Sequence, residues 1–143
     1  MARTGGQVVV ESLVAHGVTT TFGVPGESYL AVLDALHDTD IRVITCRQEG
    51  GAAFMAEAWA KLTGQVGVCL VTRGPGATNA SIGIHAAMQA STPLVLLVGQ
   101  VATHEQGREA FQEVDYRQMF GSLAKWTTEI TVVDDTSAVM AEA

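Results

Sequence analysis

Residues 44–51, Ile-Thr-Cys-Arg-Gln-Glu-Gly-Gly, place one carboxylate, Glu49, where an apolar run gives way to a helical pattern. A carboxylate in the first turn of a helix is favoured by the macrodipole, by roughly 0.3 to 1 kcal/mol. Glu49 could serve the helix alone. At the carboxyl edge of a parallel sheet it could instead share a proton with a ligand nitrogen, because partial desolvation raises the cost of its charge. Ala52, Ala53, Ala56 and Ala60 follow at spacings that put small side chains on one helix face. Such a face lets another helix come close, as at an interface. A second stretch, Thr-Arg-Gly-Pro-Gly-Ala-Thr-Asn at 72–79, sets glycines before a helix. That turn could cradle an anion, or merely let the helix pack on the sheet. It lacks the lysine and hydroxyl pair of a nucleotide P-loop and the spacing of the dinucleotide fingerprint. Both readings stay open on composition.

The elements that must hold these residues follow from two alternating periodicities. Residues 6–16 read as a helix on Val9, Leu13 and His16, with Gly17 at its C-terminal cap. Residues 19–24 read as a short β-branched strand. Ser28 is placed to cap a helix through Leu30, Leu33 and Leu36 to His37. Further strands are predicted over 41–46, 66–72 and 93–99, and further helices over 49–63, closed by Gly64, and 77–89. The 66–72 strand is nearly all apolar, which predicts burial on both faces. Strand, turn and helix repeated in this way imply right-handed crossovers. The fold class expected is α/β, three layers α/β/α around a mostly parallel, doubly wound sheet. The pattern breaks at 100–121 into a long polar segment, the kind of loop that is functional or covered by a partner. Residues 125–133 read as another strand, and Asp134-Asp135-Thr136-Ser137 as the start of a helix. That helix stops about two turns in, so the domain is expected to be C-terminally truncated over 1–143, its last helix and strand missing.

Composition narrows the function. The 143 residues are 48% hydrophobic and 16% charged, with net charge −7 and the acids scattered. Scattered acids argue against nucleic acid, whose phosphates select basic faces. No run approaches the roughly 18 apolar residues of a membrane-spanning helix, and Glu11 and Ser12 interrupt any signal-peptide layout at the start. Cys46 and Cys69 are the two cysteines; both fall in strands predicted buried, without metal or redox spacing. That usage suits a reducing cytoplasm. No metal ligands are expected in this chain.

Taken together, the stretches HGVTTTFGVPGE (16–27), IRVITCRQEGGAAFMAEAWAKLTG (41–64), VGVCLVTRGPGATNASIGIHAAMQASTPLVLLVGQV (66–101) and EAFQEVD (109–115) resemble the N-terminal, pyrimidine-binding domain of thiamine diphosphate-dependent enzymes. The resemblance is closest to the acetolactate synthase group, and the motifs stand in family order from about Gly6 to Thr131. It implies that Glu49 hydrogen-bonds N1′ of the cofactor's aminopyrimidine, and that proton exchange there readies C2 of the thiazolium to attack a 2-oxo acid. By the same match Pro25 and Gly26 line the pyrimidine pocket, Thr72, Pro75 and Asn79 shape the wall beside it, and Phe111 and Gln112 lie near the substrate.

The resemblance also implies what the chain works with. Family members bind the diphosphate and its Mg2+ in a separate domain, through a Gly-Asp-Gly stretch that this sequence lacks, and the synthases carry FAD on a middle domain. Active sites lie between domains of different chains. The expected partners are therefore a diphosphate-binding domain and further copies in a dimer or tetramer, with a 2-oxo acid as substrate. Alone, the chain should be inactive. The synthases usually show His-Glu-Gln-Gly where this chain has Gln48-Glu49-Gly50-Gly51, a glycine at Glu27 and a serine at Arg73. Those departures open the way to another 2-oxo acid or an acyl-coenzyme A. Two readings of other classes stand beside this one: a stand-alone flavodoxin-like phosphate- or nucleotide-binding module, and a non-catalytic interaction subunit.

Overall fold

A computed structural model describes residues 3–143. Four strands, β1 (Thr20–Gly23), β2 (Arg42–Thr45), β3 (Gly67–Thr72) and β4 (Leu94–Gly99), form one sheet in the order β2-β1-β3-β4, every pairing parallel. Helices α1 (Gly5–Ala15) and α2 (Leu30–His37) cover one face; α3 (Glu49–Thr63) and α4 (Arg73–Gln89) cover the other. The expected α/β/α class is the observed one, with the sheet wholly parallel.

Strand β3 shows why. Val68 and Leu70 pack with Val10, Leu13, Leu36 and Ile41, while Cys69 and Val71 pack with Phe22, Ala52, Ala53, Ala56 and Ala80. Alternate side chains thus enter two cores, each fully buried apolar side chain contributing about 1.5 to 3 kcal/mol. Local chemistry sets the helix ends. Thr4 and Gln7 form a capping box on α1, and Gly17 and Gly64 take φ +74° and +72° just past α1 and α3, a conformation glycine adopts without steric cost.

Five expectations need correction. Helix α4 starts at Arg73, four residues before Ala77, because the turn at 73–76 is already helical. Ser28 does not cap α2; it sits inside a 3-10 turn, Glu27–Tyr29, and its hydroxyl bonds Thr72 instead. Strand β2 is a largely exposed edge, and Cys46 lies past its end, half-buried. Residues 125–133 form no strand: residues 121–132 join no ladder among the described residues, and a 3-10 turn takes Val133–Asp135. A β-branched run favours extended backbone, but a strand also needs a ladder partner. Helix α6 (Thr136–Glu142) follows, and α5 (Tyr116–Phe120) interrupts the long polar segment, anchoring Phe120 against Ala77 and Ile84.

The fifth correction concerns the alanine face of α3. Ala52, Ala53 and Ala56 are wholly buried, and Ala60 nearly so, inside this chain. A helix does approach closely there, but it is α4, not a partner.

Candidate functional site

Because the sheet is parallel, the turns after all four strands open on one edge. Strand order reverses between β1 and β3, and a crevice at such a switch point is where ligands of open α/β sheets bind. Pro25 and Gly26 follow β1 there, and Thr72 ends β3. A Cβ on Gly26 would lie 2.3 Å from Cβ of Thr72, so only glycine lets the first turn sit this close. Ser28 Oγ and Thr72 Oγ1 lie 2.7 Å apart and tie the two turns together. Tyr29 braces the first turn from within, its hydroxyl donating to the Val24 carbonyl. Burial, with the nearby Cys69 and Glu49, pushes the Tyr29 hydroxyl up to about 12. It therefore stays a donor throughout the range in which proteins work.

Glu49 opens α3 on the same edge. Gln48 caps that helix, its side chain accepting from the Gly51 N–H at 2.8 Å, which fixes where the first turn begins. The half-buried Glu49 carboxylate accepts from Asn79 Nδ2 at 2.9 Å. Among the described residues no arginine, lysine or histidine pairs with it. One of its oxygens is positioned by a neutral donor, and the group is otherwise uncommitted. Asn79 reaches it because α3 and α4 are packed through small residues: a Cβ on Gly83 would meet Ala53 Cβ at 2.5 Å. Beneath lies Cys69, whose thiol burial first, then Cys46 and Glu49, push up to about 12; it is inert core.

The loop carrying Phe111 and Gln112 closes over the start of α4. The Gly74 N–H donates to the Gln112 carbonyl at 2.9 Å. Phe111 is 74% exposed, its ring 5.9 Å from the Arg73 guanidinium, so it is not a core anchor. Glu113 braces the loop by accepting from the N–H groups of Gly107 and Ala110, which hold its carboxyl below the ordinary 4.5. A depressed carboxyl pKa gives stability that is present above the ordinary value and lost as pH falls through the lowered one. Acidification from pH 4.5 downward is therefore expected to lower the hydrogen-exchange protection factors of Gly107 and Ala110, taken relative to the intrinsic exchange rate at each pH, and Glu113→Ala to lower them already at neutral pH.

The site residues expected from the sequence thus gather in three groups on one edge: Pro25, Gly26 and Thr72; Glu49 with Asn79; and Phe111 with Gln112. Pro75 lies exposed in the first turn of α4, where its missing N–H costs nothing. Tyr29, and Gln48 as a cap, were not foreseen; a lone aromatic three residues beyond a Pro-Gly turn carries no periodic signal.

This arrangement can be set against known proteins. The family model described as "Thiamine pyrophosphate enzyme, N-terminal TPP binding domain" matches residues 3–119. The chain belongs to that family. It is 42% identical over 139 residues to acetolactate synthase isozyme 2 large subunit of Escherichia coli K12, covering 97% of this chain and 25% of that protein. Acetolactate synthase of Bacillus subtilis 168 is 41% identical over 126 residues, 88% of this chain and 22% of its own. A putative uncharacterized protein of Haemophilus influenzae is 48% identical over 112 residues, 78% of this chain and 42% of that one. The chain therefore spans a quarter or less of the two synthases and under half of the third relative. In this thiamine pyrophosphate family domain, no helix among the described residues is long and apolar enough to cross a membrane.

Proposed function

We propose that this chain is the pyrimidine-binding half of a thiamine diphosphate-dependent enzyme that decarboxylates a 2-oxo acid and passes the remainder to a proton or a second carbonyl compound. Glu49 is its proton-exchanging group. The observation that carries this reading is the state of Glu49: at the ligand-binding edge, half-buried, oriented by Asn79 at 2.9 Å and unpaired with any cation among the described residues.

The residues fit an aminopyrimidine. The Pro25-Gly26 turn and Thr72 present small, uncharged surfaces for a flat ring, and Glu49 supplies the one ionisable group facing its nitrogen. They do not fit a diphosphate, since no Gly-Asp-Gly stands in the sequence. A separate domain would hold the diphosphate with Mg2+, and any FAD would belong to a middle domain, as in the synthases the sequence resembles. When bound, thiamine diphosphate supplies the nucleophilic carbon and the electron sink. Glu49 would hold and return a proton at N1′, Asn79 would keep the carboxylate aimed, and Gly26 would let backbone approach the ring face. Proton transfer by one well-placed group is worth about 10²- to 10⁴-fold.

The partner is a diphosphate-binding domain of the same or another chain, in a cytoplasmic dimer or tetramer; without it the chain is inactive. An outward apolar strip supports such a partner: Phe54 and Met55 on α3 and Ile82 on α4 are 41%, 44% and 59% exposed. The phosphate-module alternative is disfavoured because the Gly74 N–H is spent on Gln112. The test is hydrogen–deuterium exchange at C2 of added thiamine diphosphate. Exchange should accelerate when the chain is joined to a diphosphate-binding domain with Mg2+, and not before. No acceleration in the joined enzyme, or binding of inorganic phosphate by the chain alone, would contradict the reading.

A further inference from the structure

Arg73 is unlike its neighbours. It opens α4 at the switch point between β1 and β3, with φ +45°, a region that side chains other than glycine, asparagine and aspartate rarely enter. Its side chain is only 16% exposed, and Nε is buried with no hydrogen-bond partner among the described residues. Nη1 stands 3.9 Å from Glu27 Oε2, a carboxylate that is itself 80% exposed. The guanidinium lies under the ring of Phe111 at 5.9 Å. Nearby, the Tyr116 hydroxyl is also buried without a partner, and the Arg73 charge acts on it.

An arginine kept for structure spends its five donors on carbonyls and carboxylates. This one has a single distant, solvated acceptor and is held at a backbone cost. Backbone strain with unspent donors is what an anion-recognising group looks like before its ligand arrives. Asn79 lies six residues further along α4, about 9 Å along the helix axis. That axial rise is on the scale of a small substrate.

We propose that Arg73 determines substrate choice by binding a carboxylate that the reaction does not cleave, Glu27 being its counter-ion until the substrate enters. This rests on the thiamine-dependent reading above. A carboxylate fits because the planar guanidinium offers a bidentate fork while Phe111 covers its face. The carboxylate lost as carbon dioxide is excluded: a cation on it would stabilise the ground state more than the transition state, in which that charge is leaving. The bound group is therefore either the distal carboxylate of a dicarboxylic donor or the carboxylate of an acceptor 2-oxo acid.

The experiment uses the assembled holoenzyme. C2 exchange is measured first on the unsubstituted enzyme; its absence defeats the thiamine reading rather than this one. Then kcat/KM is compared within two pairs: 2-oxoglutarate against 2-oxobutyrate as donor, and glyoxylate against acetaldehyde as acceptor with pyruvate as donor. Arg73→Gln should lower the acid-over-neutral ratio by about tenfold or more in one pair, the scale of one charge-assisted hydrogen bond. Arg73→Lys should restore it in part, and Glu27→Gln should raise it. The pair that responds identifies which carboxylate is bound. Ratios that stay unchanged in both pairs overturn the proposal, as does an enzyme that exchanges C2 yet is neither served nor inhibited by any of these acids.

Discussion

Replacing Glu49 by glutamine is expected to lower turnover of the assembled enzyme by about 10²- to 10⁴-fold, the range for losing one positioned proton-transfer group. Glutamine keeps the size of the side chain and an oxygen for Asn79, so the 2.9 Å contact can persist. What it cannot do is take and return a proton at a ring nitrogen. The stability cost should be small, because the group is half-buried, pairs with no cation among the described residues, and adds to α3 only the first-turn macrodipole term of roughly 0.3 to 1 kcal/mol. Steady-state kinetics and thermal unfolding on one preparation separate the two roles of the carboxylate. If Glu49 served only the helix, Tm would fall slightly and turnover would survive.

Gly83→Val should damage both the packing and the site. Its Cβ would stand 2.5 Å from Ala53 Cβ, 3.0 Å from the Ala53 carbonyl carbon and 3.1 Å from Phe54 N, mostly backbone that cannot swing aside. The two helices must separate, and overpacking of this kind costs about 1 to 3 kcal/mol. Residues 79 and 83 are one turn apart on the same face of α4, so the separation also carries Asn79 away from Glu49. The expected result is a Tm lower by several degrees together with loss of C2 exchange. Ala53→Gly in the same chain should recover part of both, because it removes the atom that the new side chain strikes.

Much of this was legible in residue order. β3 announced itself by a nearly continuous apolar run, α3 by its alanine spacing and the Gly64 that closes it, and the parallel topology by the alternation of short strands with longer helices. The strand-tip gathering of Pro25, Gly26, Glu49, Thr72 and Asn79 followed from that topology. What residue order could not convey was which surface a pattern meets. The alanines of α3 predict a close approach but not by whom, and Gly83 of the same chain is the answer. The run at 125–133 predicts extended backbone but not a ladder, since pairing depends on a neighbour far away in sequence. Ser28 has the chemistry of a cap, yet the nearness of Thr72 gives its hydroxyl a different partner. Arg73 reads as one charge in a glycine-rich turn; its buried, unspent Nε exists only in three dimensions.

The most direct test of the central assignment is a structure of the assembled enzyme with thiamine diphosphate bound, read at one atom pair. A Glu49 carboxylate oxygen is expected within about 2.6 to 3.2 Å of the pyrimidine N1′, with Asn79 still donating to the other side of the group. A pyrimidine ring seated elsewhere, with Glu49 turned to Asn79 and solvent alone, would contradict it.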